Sequence, residues 1–229
     1  MINLRKIGAD RWEDIQLLLN GVEAPVLFDV GAHWGETLTL LSQRFPRASI
    51  YSFEPDPESF QRLQQVATRI PGARAERCAM GDGRCTKQLL CNLESVTNSL
   101  LEVSAESKSD AMRRIKETMV LVETVDDFCR NNDIREIDLL KTDCQGYDLR
   151  VLQGAREMLS EKRVRLVHCE VLLDSLYEGQ GWFHEVLPFM AGMGYALVAM
   201  HDFARNAGHE VTWADVLFKR RSEPEKSNR

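Results

Sequence analysis

Val26-Leu27-Phe28-Asp29-Val30-Gly31-Ala32-His33-Trp34-Gly35-Glu36-Thr37 is the stretch whose reading decides the fold. Pro25 opens a compact apolar run that closes on the turn residues Asp29–Gly31. The run is too short for a helix, so it reads as a buried strand. From Gly35 the spacing becomes helical, with Leu38, Leu41 and Phe45 on one face and a stop at Pro46. Strand, glycine turn and helix in direct succession form a nucleotide-type βα unit.

The turn itself narrows the ligand. A dinucleotide turn is Gly-x-Gly-x-x-Gly, built to seat a pyrophosphate on a helix dipole. Here the spacing is Gly31-x-x-x-Gly35, with Asp29 just before it. An acid at that point opposes a pyrophosphate and suits a ligand carrying an ammonium and a sulfonium. S-adenosylmethionine is such a ligand and NAD is the weaker fit. Gly31, Ala32, His33 and Gly35 are therefore expected at the cofactor, with Asp29 facing its positive charge.

Working outward, helix and strand signals alternate. Asp10–Asn20 reads as a helix, Ala48–Phe53 as a strand, Pro57–Arg69 as a helix and Arg74–Ala79 as a third strand. Gln88–Lys116 breaks the rhythm: it is rich in Ser and Asn and reads as an inserted loop with one helix near its end. Alternation resumes with a helix at Thr124–Asn131, a strand at Ile137–Thr142 and a helix at Leu149–Leu159. A strand at Val164–Val171, a helix at Phe183–Met193 and strands at Tyr195–Met200 and Ala214–Lys219 follow. The pattern predicts a Rossmann-like α/β domain with seven strands in a mostly parallel sheet and helices on both faces. We expect an N-terminal helical extension over 1–24, one domain over 25–221 with its insert at 88–116, and a disordered tail over 222–229.

Bulk properties set limits. The 229 residues are 44% hydrophobic and 28% charged, with a formal charge of −6. That suits one α/β domain and lacks the basic footprint of a nucleic-acid binder. No apolar run is long enough to span a bilayer, and the N-terminal segment lacks the apolar core of a signal peptide. The six cysteines form no Cys-x-x-Cys pair and no Cys/His cluster of zinc spacing. These features point to reduced thiols in a cytoplasm and to no metal motif.

Further site residues follow from the strand ends. Glu54-Pro55 closes the second strand, where a carboxylate can accept hydrogen bonds from both ribose hydroxyls. The alternative for Glu54 is a helix cap, a role that Asp56 and Glu58 also suit. Met80, Gly81 and Asp82 end the third strand, where Met80 can pack on the adenine and Asp82 can take its amine. An ordinary Gly-Asp-Gly turn is the competing reading.

Residues 119–155 carry a more specific pattern. They contain Thr124-Val125-Asp126-Asp127, then Asp138-Leu139-Leu140-Lys141-Thr142-Asp143, then Gly146, Asp148 and Leu152-Gln153-Gly154-Ala155. With the Asp29–Gly35 turn, Phe53-Glu54-Pro55 and His168-Cys169-Glu170, this run resembles the FkbM-type methyltransferase family over residues 25–171. Gln145 departs from the Glu that many members carry. The resemblance implies a class I methyltransferase fold, with the last of the seven strands antiparallel, and methyl transfer to a hydroxyl on a sugar, glycan or natural product.

Activating a hydroxyl asks for a base or a metal. The strand ends offer Asp143 first, as base or as a contact to the methionine amine, then Glu170, His201 and, in the glycine loop, His33. An Asp143–Lys141 ion pair is the simpler account of that pair. A divalent cation such as magnesium is possible without being required by a motif. Loop 172–182, with Tyr177 and Trp182, and the insert are expected to read a small-molecule or glycan acceptor. A homodimer is possible, since the N-terminal helix suits a neighbour's pocket as well as its own. The alternatives to a methyltransferase are a nicotinamide-dependent oxidoreductase and a non-catalytic relative on the same fold.

Overall fold

The computed structural model describes residues 7–107 and 109–221. The expected tail at 222–229 and residues 1–6 of the N-terminal extension lie outside them. Helix α1 (Arg11–Leu18) starts on Asp10, whose side chain accepts the Trp12 and Glu13 N–H groups. Then come β1 (Val26–Val30), α2 (Glu36–Arg44), β2 (Ser49–Phe53), α3 (Pro57–Ala67) and β3 (Ala73–Glu76). Strands β4 (Ala79–Met80), β5 (Cys85–Asn92) and β6 (Arg114–Glu123) intervene before α4 (Val125–Asn131), which is capped by the Thr124 hydroxyl. The chain continues through β7 (Ile137–Thr142), α5 (Asp148–Gln153), α6 (Arg156–Ser160) and β8 (Val164–Leu172). It finishes with α7 (Phe183–Gly192), β9 (Tyr195–Arg205) and β10 (Val211–Arg220).

Seven strands form the main sheet in the order β3-β2-β1-β7-β8-β10-β9. The five from β3 to β8 run parallel, and β10 is antiparallel to both of its neighbours. The strand order reverses between β1 and β7, which opens the crevice where α/β sheets bind ligands.

Both faces of the sheet are covered, and the strand period of two divides the apolar residues between them. Leu27, Leu139 and Leu166 pack with Ile15, Leu38 and Leu63 on the side of α1, α2 and α3. Phe28, Leu140 and Val167 pack on the other side with Phe128 and Val151. Burying each such side chain contributes roughly 1.5–3 kcal/mol.

One row of that alternation is polar. Registered neighbours Ser52, Asp29, Lys141 and His168 cross β2, β1, β7 and β8, all buried. Two residues further along these chains come Glu54, Gly31, Asp143 and Glu170, on the same face at the carboxyl rim.

Three sequence expectations are corrected. Arg74–Ala79 is not one strand: β3 ends at Glu76, and β4 leaves for a second sheet of order β4-β6-β5. The Gln88–Lys116 insert carries short 3₁₀ turns at Ser95–Thr97 and, near its end, Asp110–Met112, but its two ends are not loop: they belong to an antiparallel hairpin of β5 and β6. Its inward residues Leu89, Cys91, Val120 and Val122 bury a small core of their own. The helix over Leu149–Leu159 is broken at Gly154, where a Cβ would lie 1.8 Å from the Gly81 carbonyl oxygen. The Gly154 carbonyl instead accepts the Asp126 N–H at 3.0 Å, starting α4.

Candidate functional site

A cavity of about 480 Å³ opens at the carboxyl rim of β1, β2, β7 and β8. That is a volume suited to a cofactor-sized ligand. Glu54 and Met80 lie on the β2 side of the crevice. Glu170 on β8 and Asp215 on β10 lie on the other, with Gly31 and Asp143 between them. The segment 95–100 and Tyr177 complete the wall.

Gly31 is the point of closest approach. Its φ is +76°, and a Cβ there would stand 2.0 Å from the Asp143 carbonyl oxygen. The residue is glycine because the turn after β1 lies directly on the turn after β7. The Gly31 and Ala32 N–H groups are both taken by the Phe53 carbonyl at 3.0 Å. Gly35 lies outside the cavity, where a Cβ would meet Leu63 and Val66, so it packs α2 against α3.

Glu54 is buried and holds this turn from the side. Its Oε2 accepts the His33 N–H and its Oε1 the Asp56 N–H, both at 2.8 Å. Burial pushes its carboxyl up to about 7, partly offset by those two bonds. Asp56 caps α3, accepting the Ser59 N–H at 3.0 Å, so the capping role falls to Asp56 and Glu54 faces the cavity. His33, at φ +48°, stacks on Trp34 with centroids 4.4 Å apart and meets the Ser95 hydroxyl at 2.8 Å through Nε2. Half-buried, its imidazole is pushed down by desolvation.

The opposite wall is acidic. Gln145 Nε2 donates to Asp143 Oδ1 at 3.0 Å and lies 3.4 Å from Glu170 Oε2. The Tyr177 hydroxyl donates to Gln145 Oε1 at 2.9 Å and also faces the Thr97 carbonyl at 3.1 Å. Burial raises Glu170 well above the usual carboxylate range, and Asp143, Asp148 and Asp215 add to the effect. Asp215 pairs with Arg11, which reaches the cavity from α1.

Of the residues expected at the cofactor, Gly31, His33, Glu54, Pro55, Met80 and Asp143 line the cavity; Asp29, Ala32, Gly35, Gly81 and Asp82 do not. Asp29 is fully buried under the glycine turn, and its neighbour is the Lys141 ammonium at 3.1 Å rather than a ligand. Asp82 is carried outward by the turn of β4 into the second sheet and pairs with Arg150 at 3.3 Å.

Among the residues expected to be catalytic, Asp143 and Glu170 meet in the cavity. His201 does not: it is buried against α1, with Nε2 2.9 Å from Asp14 Oδ2. The N-terminal helix thus covers its own chain. The expected Lys141–Asp143 pair exists at 3.8 Å, weaker than the contact with Asp29. Among the described residues, no three His, Cys, Asp or Glu side chains are grouped to hold a metal ion.

Sequence reading missed Arg11, Asp215 and Trp213. Asp215 had a signal, an acid inside the apolar run Ala214-Val216-Leu217-Phe218, of the kind that marked Glu170. Arg11 had none, because only docking of α1 brings it to the cavity.

Comparison with known proteins agrees with this architecture. The sequence model of the Methyltransferase FkbM domain matches residues 29–197, so the chain belongs to that family of methyltransferases. The 31-O-demethyl-FK506 methyltransferase FkbM of Streptomyces tacrolimicus is 27% identical over 235 residues, spanning 90% of this chain and 86% of the relative. The 2-O-methyltransferase NoeI of Sinorhizobium fredii is 27% identical, over 68% of this chain and 67% of the relative. The hexuronic acid methyltransferase AglP of Haloferax volcanii is 25% identical, over 70% of this chain and 62% of the relative. In fold, the chain is similar to M. capricolum TrmK, solved with S-adenosyl-homocysteine, at a TM-score of 0.51 and 8% identity. That match covers 94% of this chain and 71% of TrmK. The fold is the Rossmann-like one of class I methyltransferases. Among the described residues, no helix is long and apolar enough to cross a membrane.

Proposed function

We propose that the protein transfers a methyl group from S-adenosylmethionine to a hydroxyl of a sugar, glycan or hydroxylated natural product. The observation that carries this reading is one cavity with Glu54 on one side, the Asp143–Glu170 pair on the other and the bare Gly31 turn between them. The 31-O-demethyl-FK506 methyltransferase FkbM and the 2-O-methyltransferase NoeI support oxygen as the acceptor atom, and the hexuronic acid methyltransferase AglP supports a sugar as one acceptor class. The six free cysteines support a reducing, cytoplasmic setting.

The residues present fit the methyl donor. Each Glu54 oxygen spends one lone pair on a backbone N–H and keeps another for a ribose hydroxyl. Met80, Phe53 and Leu89 make an apolar slot of the kind an adenine fills. The glycine at 31 lets the turn after β1 sit directly against the Asp143 backbone, and the methionine portion would lie along that joined rim. Asp29 acts from below by fixing Lys141, which donates to the Gly31 carbonyl at 3.2 Å.

S-adenosylmethionine, when bound, supplies an electrophilic methyl whose bond to sulfur breaks as its bond to the acceptor oxygen forms, leaving a neutral thioether. Asp143 is the base that takes the hydroxyl proton, so the positive charge lost from sulfur is matched by the negative charge lost from the carboxylate. Tyr177 and Trp213 line the cavity with Glu170 and Asp215, and that part of the wall is where the acceptor would bind.

Calorimetry with S-adenosylhomocysteine tests the reading, wild type beside Glu54→Ala. Micromolar binding weakened tenfold or more by the substitution (about 1.4 kcal/mol) is expected. Folded wild-type protein that binds NAD, or neither ligand, overturns it.

A further inference from the structure

Gln145 occupies the centre of the acidic wall in a backbone conformation that needs support. Its φ is +52°, in the left-handed region that side-chain-bearing residues seldom adopt. Two separate segments hold it there. The Ser99 hydroxyl, from the loop of the β5–β6 hairpin, donates to the Gln145 carbonyl at 2.8 Å. The Gly181 N–H, from the segment before α7, donates to the neighbouring Gly146 carbonyl at 2.9 Å.

The side chain is directed as firmly as the backbone. A primary amide has one acceptor end and two N–H donors. The Tyr177 hydroxyl at 2.9 Å occupies the acceptor end. Both donors therefore face the carboxylates, 3.0 Å from Asp143 and 3.4 Å from Glu170. Glutamate at this position would place a third acid between two others, with no proton to offer when ionised.

We propose that Gln145 is a positioning residue that holds Asp143 and Glu170 as an unequal pair, Asp143 to take the acceptor's hydroxyl proton and Glu170 to orient the acceptor. This division of labour rests on the methyl-transfer reading above, whereas the inequality of the pair does not. Two carboxyls in different surroundings are how one site obtains both a proton acceptor and a proton donor.

The surroundings are unequal. Glu170 is buried, registered opposite Asp215 on β10 and close to Asp148 on α5; burial and those acids favour its neutral form. Asp143 has a side chain 43% exposed and the Lys141 ammonium 3.8 Å away. Asp29 beneath Lys141 and Arg11 beside Asp215 complete the charged neighbours. As a neutral donor to both carboxyls, Gln145 joins them without adding another negative charge. In the proton step the acceptor O–H bond breaks, the proton joins Asp143, and the resulting neutral acid can release it to solvent through its exposed edge.

Carboxyl ¹³C NMR of the full chain without ligand tests this. Signals of Asp143 and Glu170 are assigned with the near-isosteric Asp143→Asn and Glu170→Gln and followed from pH 3 to 9 (about the range over which carboxyls titrate). In wild type Glu170 is expected to keep its proton above the usual carboxylate range. Gln145→Leu and Gln145→Glu should each move the gap between the two titrations by about one pH unit or more, a tenfold change in relative proton affinity. Tyr177→Phe, which frees the amide to rotate, should move it in the same direction as Gln145→Leu by less. Glu170 titrating in the usual carboxylate range overturns the proposal even if no variant folds, and a gap unchanged in folded Gln145 variants overturns it as well. Binding of S-adenosylhomocysteine, measured on the same samples, separates failure here from failure of the cofactor reading.

Discussion

The Lys141 ammonium lies 3.1 Å from Asp29 Oδ1, and the two residues are direct cross-strand neighbours on β7 and β1. Asp29 is fully buried and Lys141 nearly so. Burial alone would push the ammonium down, but Asp29 and Asp143 outweigh it and hold it up. The pair is the footing of the site: Lys141 also donates to the Gly31 carbonyl at 3.2 Å.

Removing one partner should therefore cost more than removing both. Lys141→Met leaves a carboxylate buried without a counter-charge, and a loss of about 3–5 kcal/mol is expected in denaturant unfolding. Asp29→Asn combined with Lys141→Met should recover part of that loss. A double variant as unstable as Lys141→Met alone would show that the charge is not what matters.

Gly31→Ala should damage the site more than the fold. The added Cβ would collide with the Asp143 carbonyl oxygen at 2.0 Å in a backbone conformation unsuited to alanine. The strain is about 1–3 kcal/mol, and relief requires the β1 and β7 turns to separate. A fall in S-adenosylhomocysteine affinity of tenfold or more is expected in protein that still unfolds cooperatively. Unchanged affinity would mean that the turns need not touch.

Stability and binding should respond to pH in opposite senses around Glu54. Burial raises its carboxyl from 4.5 to about 7. Burial also raises Asp148 to about 7 and Asp215 to about 6. Between about 4.5 and 7 the folded state then binds more protons than the unfolded chain, so stability is full below that window and lost as pH rises through it. Glu54 alone accounts for roughly 3 kcal/mol at most. The apparent Tm without ligand should be higher at pH 5 than at pH 8, with a shallower slope in Glu54→Gln. Affinity for S-adenosylhomocysteine should instead rise from pH 6 to 8, because an ionised carboxylate is the better acceptor for ribose hydroxyls. A slope identical in wild type and Glu54→Gln would remove Glu54 from this account.

His201→Ala should destabilise without touching the chemistry. His201 and Asp14 are both buried, joined at 2.9 Å, and stand outside the cavity. Losing a hydrogen bond to a charged group costs about 1.5–3 kcal/mol. Unfolding experiments should register that loss, while S-adenosylhomocysteine binding stays within about twofold of wild type (under ~0.5 kcal/mol). A tenfold loss of binding would return His201 to the site.

What the sequence by itself determined is what neighbours along the chain decide. The apolar run into Gly31, the caps at Asp10, Asp56 and Thr124, and the alternation of strand and helix are short-range chemistry. They were enough for the parallel sheet, the cavity-facing positions of Glu54, Asp143 and Glu170, and the family, whose resemblance implies the antiparallel last strand. What only the tertiary structure decided depends on which strand lies beside which. Asp29 reads as a ligand contact until β7 is placed next to β1 and supplies Lys141. His201 reads as a rim residue until α1 docks Asp14 against it, and the same docking brings Arg11 to the cavity. The polar insert hides its strands because β5 and β6 cover only a small core and leave Met119 and Leu121 at 63% exposure. Register and docking are set by burial summed over many distant side chains, so no window of neighbouring residues contains them.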